Sequence, residues 1–390
     1  MSSNIDPGPH RVQGGTTDRS ARRSDRVCRG ESFYENVGIL SRLLAGEHNA
    51  ARERIAMGAA AAGEFLCFIE HHHLAWYLTS LLDSSGLRSV FAPDDVGRLE
   101  RAVEARQLKQ EALVDELALL WSRLGERGID VTLLKGAYLA ERFFGDARKR
   151  GFVDFDLLVR SEQLPDLERV LEELGYTRQS RVLLSRALTR RCTHGFDYVR
   201  GGFRLDAHWS LGAHISYRID YDRIWNECGV FQLNGIEMKV LSDNDALFFH
   251  LVSFFEDIER GAARLRSLVD VYAMLSELDM RIDWPVFWEQ RRVERTARVC
   301  RAVLGTFFAL FDAEERFPRV AGTVASATRQ VRNRAKHQTA ALLKVSGAAI
   351  RNKSWTMRFY ECPVAVSLAW WFFSLPFRLA VYRPVRYVSR

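Results

Sequence analysis

The segment LLKGAYLAERFFGDARKRGFVDFDLLV, residues 133–159, constrains the fold of this chain more than any other part of the sequence. It ends in a predicted strand with Asp154 and Asp156, whose side chains leave the same face of an extended chain. A second predicted strand, residues 203–209, brings Asp206 to the same edge if the two strands are neighbours. Clustered carboxylates repel one another unless a cation neutralises them, and such oxygen ligands suit Mg²⁺ or Mn²⁺. The pattern therefore predicts a metal site built from the three aspartates.

Upstream of the aspartates, the sequence predicts a phosphate-binding turn. A short apolar strand runs into Lys135 and Gly136, and Ala137–Phe144 follows as a predicted helix. The helix N-terminus offers free backbone N–H groups and the positive end of a dipole, and the lysine adds a charge beside them. Arg148 and Arg150 come next, where their guanidinium groups are expected to clamp phosphate oxygens. Phosphates on one side and metal-binding carboxylates on the other predict a nucleotidyl-transfer site.

Each of these motifs also has a plainer structural explanation. An Asp-x-Asp pair at a strand end is common, and a Lys-Gly turn usually only ends a strand. Asp206 can cap a turn, and His208 can be a buried histidine with satisfied hydrogen bonds beside Trp209. The order and spacing of the motifs, rather than any one of them, favour the functional interpretation.

The complete pattern consists of three motifs within residues 102–275, namely Lys135-Gly136, Arg150-x-x-x-Asp154-x-Asp156 and Asp206-x-His208-Trp209. It resembles the uncharacterised bacterial nucleotidyltransferase family of the DNA polymerase β-like superfamily. The resemblance implies an α+β fold with a small mixed sheet between helical flanks, and it implies that the three aspartates bind metal. It also suggests that the helical part after the sheet packs across the cleft. One departure is that the wider superfamily usually has Gly-Ser where this chain has Lys-Gly, so the serine contact to phosphate is absent.

The function implied by the resemblance is the metal-dependent transfer of a nucleoside monophosphate from an NTP to a hydroxyl-bearing acceptor, with release of pyrophosphate. The expected cofactor is Mg²⁺ or Mn²⁺, and the acceptor is a small molecule, a protein or RNA. Two alternatives stay open: a non-catalytic nucleotide-binding or scaffold protein, which the missing serine favours, and an enzyme that adds nucleotides to RNA ends. Arg264 and Arg266 are candidates to contact nucleotide or acceptor, although surface or packing roles are favoured.

Composition divides the chain into five predicted parts. These are a disordered basic arm at 1–30, a helical region at 31–101, the catalytic domain at 102–245, a second helical region at 246–350 and a basic aromatic tail at 351–390. Residues 316–390 hold 14 Lys or Arg and one acid, whereas the net charge of the whole chain is +7. The catalytic part is therefore acidic, and the high overall pI does not indicate that this part grips nucleic acid.

The tail and the cysteines bear on location. The apolar run VAVSLAWWFFSLPF, followed by arginines, is too short and too interrupted for a membrane span. It is expected either to pack as core, which is favoured slightly, or to anchor the protein peripherally at the inner membrane face. The six cysteines include no C-x-x-C pair, which fits a reducing cytoplasm.

Overall fold

The structure is a computed structural model, and it describes residues 31–57, 59–145, 150–179, 194–212, 214 and 216–324. The predicted arm, the predicted tail and Arg148 therefore lie outside the described residues. Within these ranges, no helix combines the length and the apolar character that crossing a membrane requires.

The described residues form one mixed sheet of seven strands. The strands are β1 Val131–Leu133, β2 Phe155–Val159, β3 Thr177–Arg178, β4 Gly195–Arg200, β5 Phe203–His208, β6 Gly229–Leu233 and β7 Ile236–Val240. Their order in the sheet is β3-β4-β5-β2-β1-β7-β6. The pairs β2/β5 and β1/β7 are parallel, and the other neighbouring pairs are antiparallel.

Helices flank the sheet in sequence on both sides. Before it come α1 Glu31–Ala45, α2 His48–Ala56, α3 Ala59–His71, α4 Ala75–Leu81 and α5 Pro93–Glu126. Between strands lie α6 Ala137–Phe144, α7 Leu164–Glu173 and α8 Tyr221–Glu227. After it come α9 Asp243–Arg260, α10 Leu265–Leu278, α11 Trp284–Val293 and α12 Ala297–Phe311. The predicted α+β class, a mixed sheet between helical flanks, is confirmed.

Two tight turns fix the antiparallel edges of the sheet. Gly201 and Gly202 join β4 to β5 with φ of 53° and 95°, and Asn234 and Gly235 join β6 to β7 with φ of 48° and 79°. Positive φ at both central positions matches the right-handed twist of a hairpin, and glycine or asparagine adopts it at little cost. In the sequence, Gly201-Gly202 and Asn234-Gly235 each stand between two predicted strands and predict hairpin turns, and both hairpins are confirmed.

The middle of the sheet is buried on both faces. Every residue of β1 and β2 is buried, including the polar residues Thr132 and Asp156. Helix α9 is buried on most of its circumference and packs against α10 and α12. Its buried residues include the polar side chains Asp245, His250, Glu256 and Glu259 as well as apolar ones. This places α9 where its polar residues are held close to the carboxyl-bearing strands.

Candidate active site

The parallel pairing of β2 with β5 brings two of the three predicted aspartates together. In this register Asp156 is the partner of Asp206 across the two strands. The carboxylate oxygens of both and a ring nitrogen of His208 lie within 4.8 Å of one another. Among the described residues, these three side chains are the group with the geometry to hold a metal ion.

The two carboxylate oxygens of Asp156 have different surroundings. Oδ1 lies 3.1 Å from Nζ of Lys135 and 3.2 Å from Nε2 of His208. Oδ2 is buried and has no hydrogen-bond partner in the described part of the chain. A buried acceptor without a partner is costly, and a bound cation would satisfy it. Oxygen donors of this kind fit Mg²⁺ or Mn²⁺.

Asp154 occupies a different position from the other two aspartates. It is half-buried, directly precedes β2, and lines a neighbouring cavity together with Lys135 and Gly136. It is not a member of the group formed by Asp156, Asp206 and His208. Its predicted role as a metal ligand therefore stays a prediction.

The pKa values of the three aspartates are shifted in different directions by their surroundings. Burial raises the pKa of both Asp154 and Asp206, and the negative charge of Asp156 raises each of them further. Burial alone would also raise the pKa of Asp156, but Lys135 and His208 hold it below its usual range. The negative charge is therefore concentrated on the most deeply buried carboxylate.

Gly136 makes the turn between β1 and α6 close to the aspartates. Its backbone has φ of 73° and ψ of −115°, a conformation that residues with a Cβ rarely adopt. A Cβ at this position would lie 3.3 Å from the carbonyl oxygen of Asp154. Because this residue is a glycine, the N-terminus of α6 can approach the start of β2. Lys135, directly before the glycine, is half-buried.

Arg150 has partners that the sequence did not predict. Its Nε and Nη2 donate to Oδ1 and Oδ2 of Asp270 at 2.7 and 2.9 Å, and its Nη1 donates to the carbonyl of Gly136 at 3.3 Å. Only 7% of Arg150 is exposed. The sequence predicts that Arg150 binds phosphate oxygens. In the structure its guanidinium group instead binds a buried carboxylate on α10, 120 residues downstream.

A cleft separates the carboxylate-bearing strands β2 and β5 from α9 and the start of α10. One cavity of about 160 Å³ is lined by Asp156, Asp206 and His208 and, on the side of α9, by Glu256. The other has a volume of about 210 Å³ and contains the Gly136 turn. Both cavities share three lining residues, Lys135, Ser253 and Asp257. The expectation that the helical part packs across the cleft agrees with this arrangement.

Arg204 lines the cavity of about 160 Å³, and it was not predicted from the sequence as a site residue. It lies 3.4 Å from Asp197 on β4 and 3.4 Å from Asp206 on its own strand. Residues two apart on a strand share a face, so the sequence FRLDAH already indicates that Arg204 lies on the same face as Asp206. The contacts from α9, in contrast, had no local signal.

The structure thus brings a glycine turn at a helix N-terminus, a neighbouring lysine and carboxylates on two adjacent parallel strands together. Residues 59–312 match the family described as uncharacterised nucleotidyltransferase. The match spans more than half of the chain, and the protein belongs to this family. The family predicted from the sequence motifs is thereby confirmed.

Two solved structures are similar to this chain at low identity. The solution structure of the antibiotic-resistance factor ANT(2″)-Ia is 13% identical with a TM-score of 0.34, covering 53% of this chain and 98% of that one. The crystal structure of ANT(2″)-Ia in complex with adenylyl-2″-tobramycin is 17% identical with a TM-score of 0.25, covering 52% and 97%. No curated protein sequence matches the chain. The family match establishes the class of this protein.

Proposed function

We propose that this protein is a Mg²⁺- or Mn²⁺-dependent nucleotidyltransferase that moves a nucleoside monophosphate from an NTP to a hydroxyl group of a small polar acceptor. The observation that carries this proposal is the pairing of Asp156 with Asp206 on adjacent parallel strands, with Oδ2 of Asp156 buried and unpartnered. Lys135 beside this pair provides the positive charge that phosphate requires. The arrangement combines cation-binding and anion-binding groups in one cleft.

The metal would be held by Asp156 on β2 and Asp206 on β5. Asp154, which directly precedes β2, would complete the acidic set. When bound, the cation would neutralise these carboxylates and polarise the phosphate that is attacked. His208 would orient Asp156, since its ring nitrogen lies 3.2 Å from Oδ1.

The phosphate side of the reaction would use Lys135 and the backbone at the Gly136 turn. The free N–H groups at the start of α6 and the lysine charge favour the negative charge that builds on the phosphates. In place of the predicted phosphate clamp, we assign Arg150 to positioning, because it holds the carbonyl of Gly136 and is neutralised by Asp270. The acceptor oxygen would bond to the α-phosphorus while the bond to the bridging oxygen breaks and pyrophosphate leaves.

The acceptor would enter the cavity of about 160 Å³ that contains Asp206. A space of this size suits a small molecule or one terminal unit of a larger one. Asp206 is one of the carboxylates that line this cavity, and we assign it the proton of the attacking hydroxyl. Ion pairs line the cavity, Arg204 with Asp197 and Arg260 with Glu256, and they would hydrogen-bond a polar acceptor.

One observation favours the second candidate, a non-catalytic nucleotide-binding protein. The residue pair Lys135-Gly136 offers no side-chain hydroxyl to the phosphate. Such a protein would bind NTP and metal without releasing pyrophosphate.

The deciding experiment incubates the protein with each NTP labelled at the α-phosphate, Mg²⁺ and a cell extract. We expect one class of small molecule to become labelled and an equal amount of pyrophosphate to be released. Label transfer should stop when EDTA removes the metal. Tight NTP binding without label transfer or pyrophosphate release would contradict the transferase and support the binding protein.

A further inference from the structure

Two arginines face the cavity of about 210 Å³ from the helical side of the cleft. Arg264 directly precedes α10, and Arg266 lies in its first turn. Lys135 and Gly136 line the same cavity from the sheet. Cationic groups therefore face one another across a space that Asp154, Asp257 and Asp270 also line.

The charges of these two arginines are only partly offset by nearby acids: Asp270 and Asp154 favour the charged form of Arg266, and Arg264 favours the charged form of Asp257. Neither side chain forms an ion pair with a carboxylate in the ranges that the structure describes. Arg264 donates to the carbonyl of Ala263 at 3.3 Å, and Arg266 donates to the carbonyl of Gly151 at 2.6 Å. Since a guanidinium has five N–H donors, each arginine keeps donors for a ligand. Arg150, which lines the same cavity, is by contrast neutralised by a carboxylate on α10.

The electrostatic environment agrees with an anion-binding role. Burial, followed by the charges of Arg264 and Arg266, lowers the pKa of His73 at this cavity to about 4. Burial and then the charge of Arg150 lower the pKa of Arg266 to about 10, against the charges of Asp270 and Asp154, which raise it. Cations that disfavour one another's charged forms create a positive potential, and an anion in the cavity would relieve it.

We propose that Arg264 and Arg266 bind the terminal phosphates of the NTP, so that the helical region selects triphosphates over nucleotides with fewer phosphates. This inference rests on the proposed function. The α-phosphate has to lie near Asp156 and Asp206, and Lys135 stands between their cavity and the second one. A polyphosphate that starts there continues past the Gly136 turn toward the two arginines. Guanidinium forks match phosphate oxygens in geometry and charge.

The experiment measures binding of inorganic tripolyphosphate, pyrophosphate and orthophosphate by calorimetry, with Mg²⁺ in excess. Arg264→Gln and Arg266→Lys are compared with the wild-type chain. Arg264→Gln removes a charge without touching the Gly151 carbonyl, whereas Arg266→Lys keeps the charge and loses the fork. Each substitution should weaken tripolyphosphate binding about tenfold, the size of one charge-assisted hydrogen bond, and orthophosphate binding less than about twofold.

The matched control is Arg281→Gln, which removes the same charge from an exposed arginine beyond the other end of α10. The 14 residues of this helix separate it from Arg264 by about 20 Å. The control should leave all three affinities unchanged. Melting temperatures within a degree of wild type would show that the variants are folded.

Equal losses for all three phosphates, unchanged tripolyphosphate affinity, or no binding of tripolyphosphate by the wild-type protein would each overturn the inference. Pyrophosphate release decides the proposed function separately. A protein that binds tripolyphosphate through these arginines but releases no pyrophosphate keeps this inference and loses the transferase activity. A transferase whose arginine variants bind tripolyphosphate normally keeps its function and loses the inference.

Discussion

At the scale of single residues, Asp156 is the group on which the site depends most. It is 1% exposed, yet its pKa stays below the usual range because Lys135 and His208 stabilise the charged form against the burial that raises it. A buried negative charge persists only where partners compensate for lost hydration. One oxygen has such partners among the described residues, and the other is left for a ligand.

Asp156→Asn keeps the shape of the side chain and removes the charge that would hold a cation. We expect the rate of pyrophosphate release to fall by at least about a hundredfold, or about 2.7 kcal/mol in the activation barrier. Asp166→Asn, which changes a half-buried aspartate at the start of α7, is the matched control and should stay near the wild-type rate. Initial rates of pyrophosphate release measure both. A near wild-type rate for Asp156→Asn would remove this residue from the site.

The buried pair of Arg150 and Asp270 should make stability depend on pH. Burial alone would raise the pKa of Asp270, but the charge and hydrogen bonds of Arg150 hold it below its usual range. The pair therefore contributes stability above the unfolded pKa of about 3.9, and this stability is lost as pH falls through the lower folded value. Breaking it with Asp270→Asn should cost about 3 kcal/mol at pH 7.

Urea unfolding from pH 7 down to pH 3 tests this expectation. The difference in free energy of unfolding between wild type and Asp270→Asn should be constant at neutral pH and shrink below about pH 4. His250 also lies near the pair, with Nε2 at 3.6 Å from Oδ2 of Asp270. The free energy of unfolding of His250→Gln is therefore measured over the same pH range for comparison. A difference that does not change with pH would show that folding does not lower the pKa of Asp270.

At the scale of elements, the sequence predicted the local structure around the site closely. The helix Ala137–Phe144 has the predicted bounds, and the preceding strand ends one residue earlier than predicted. The two hairpins follow from Gly201-Gly202 and Asn234-Gly235, because few residues tolerate positive φ. The alternation of apolar and polar residues and the residue types of a turn are local properties, so they can be recognised in the sequence.

Contacts between distant elements were not predictable in the same way. The acid that binds Arg150 lies on α10, and the wall of the cleft comes from α9, both more than 100 residues from the Gly136 turn in sequence. No local pattern specifies which buried aspartate meets which arginine. The motif therefore predicted that Asp156 and Asp206 lie close together, but it did not predict the contact between Arg150 and Asp270.

The loop that precedes β2 depends on a close contact with helix α4. A Cβ at Gly151 would lie 2.0 Å from Cε2 of the buried Trp76, and real Cβ atoms do not approach a ring so closely. Gly151→Ala should therefore shift the loop that precedes Asp154, cost about 1 to 3 kcal/mol of stability as overpacking does, and lower activity.

Trp76→Phe provides the test of that mechanism, since a smaller ring leaves room for the new methyl group. The double variant should be more stable and more active than the sum of the single effects predicts, which a double-mutant cycle measures. Strictly additive effects would mean that the loop adjusts without pressing on Trp76.

At the scale of the whole molecule, both helical parts and the sheet meet at the loop before β2. Trp76 packs on it from the N-terminal helices, and Arg266 donates to the carbonyl of Gly151 from α10. One continuous hydrophobic core extends through all three parts. A ligand in the cleft would therefore bridge the sheet to the helices and stabilise the described fold as a unit.

This bridging predicts that an NTP analogue with a non-cleavable α,β-methylene group raises the melting temperature when Mg²⁺ is present. A ligand that binds only the native state at 100 times its Kd adds about 2.7 kcal/mol, which corresponds to a rise of a few degrees. EDTA should remove most of the rise, and the Asp156→Asn variant should show little of it. The nucleoside monophosphate is the matched ligand control, because it cannot span the cleft to Arg264 and Arg266. Equal shifts with monophosphate and triphosphate would contradict bridging, since the base and ribose alone would then account for the stabilisation.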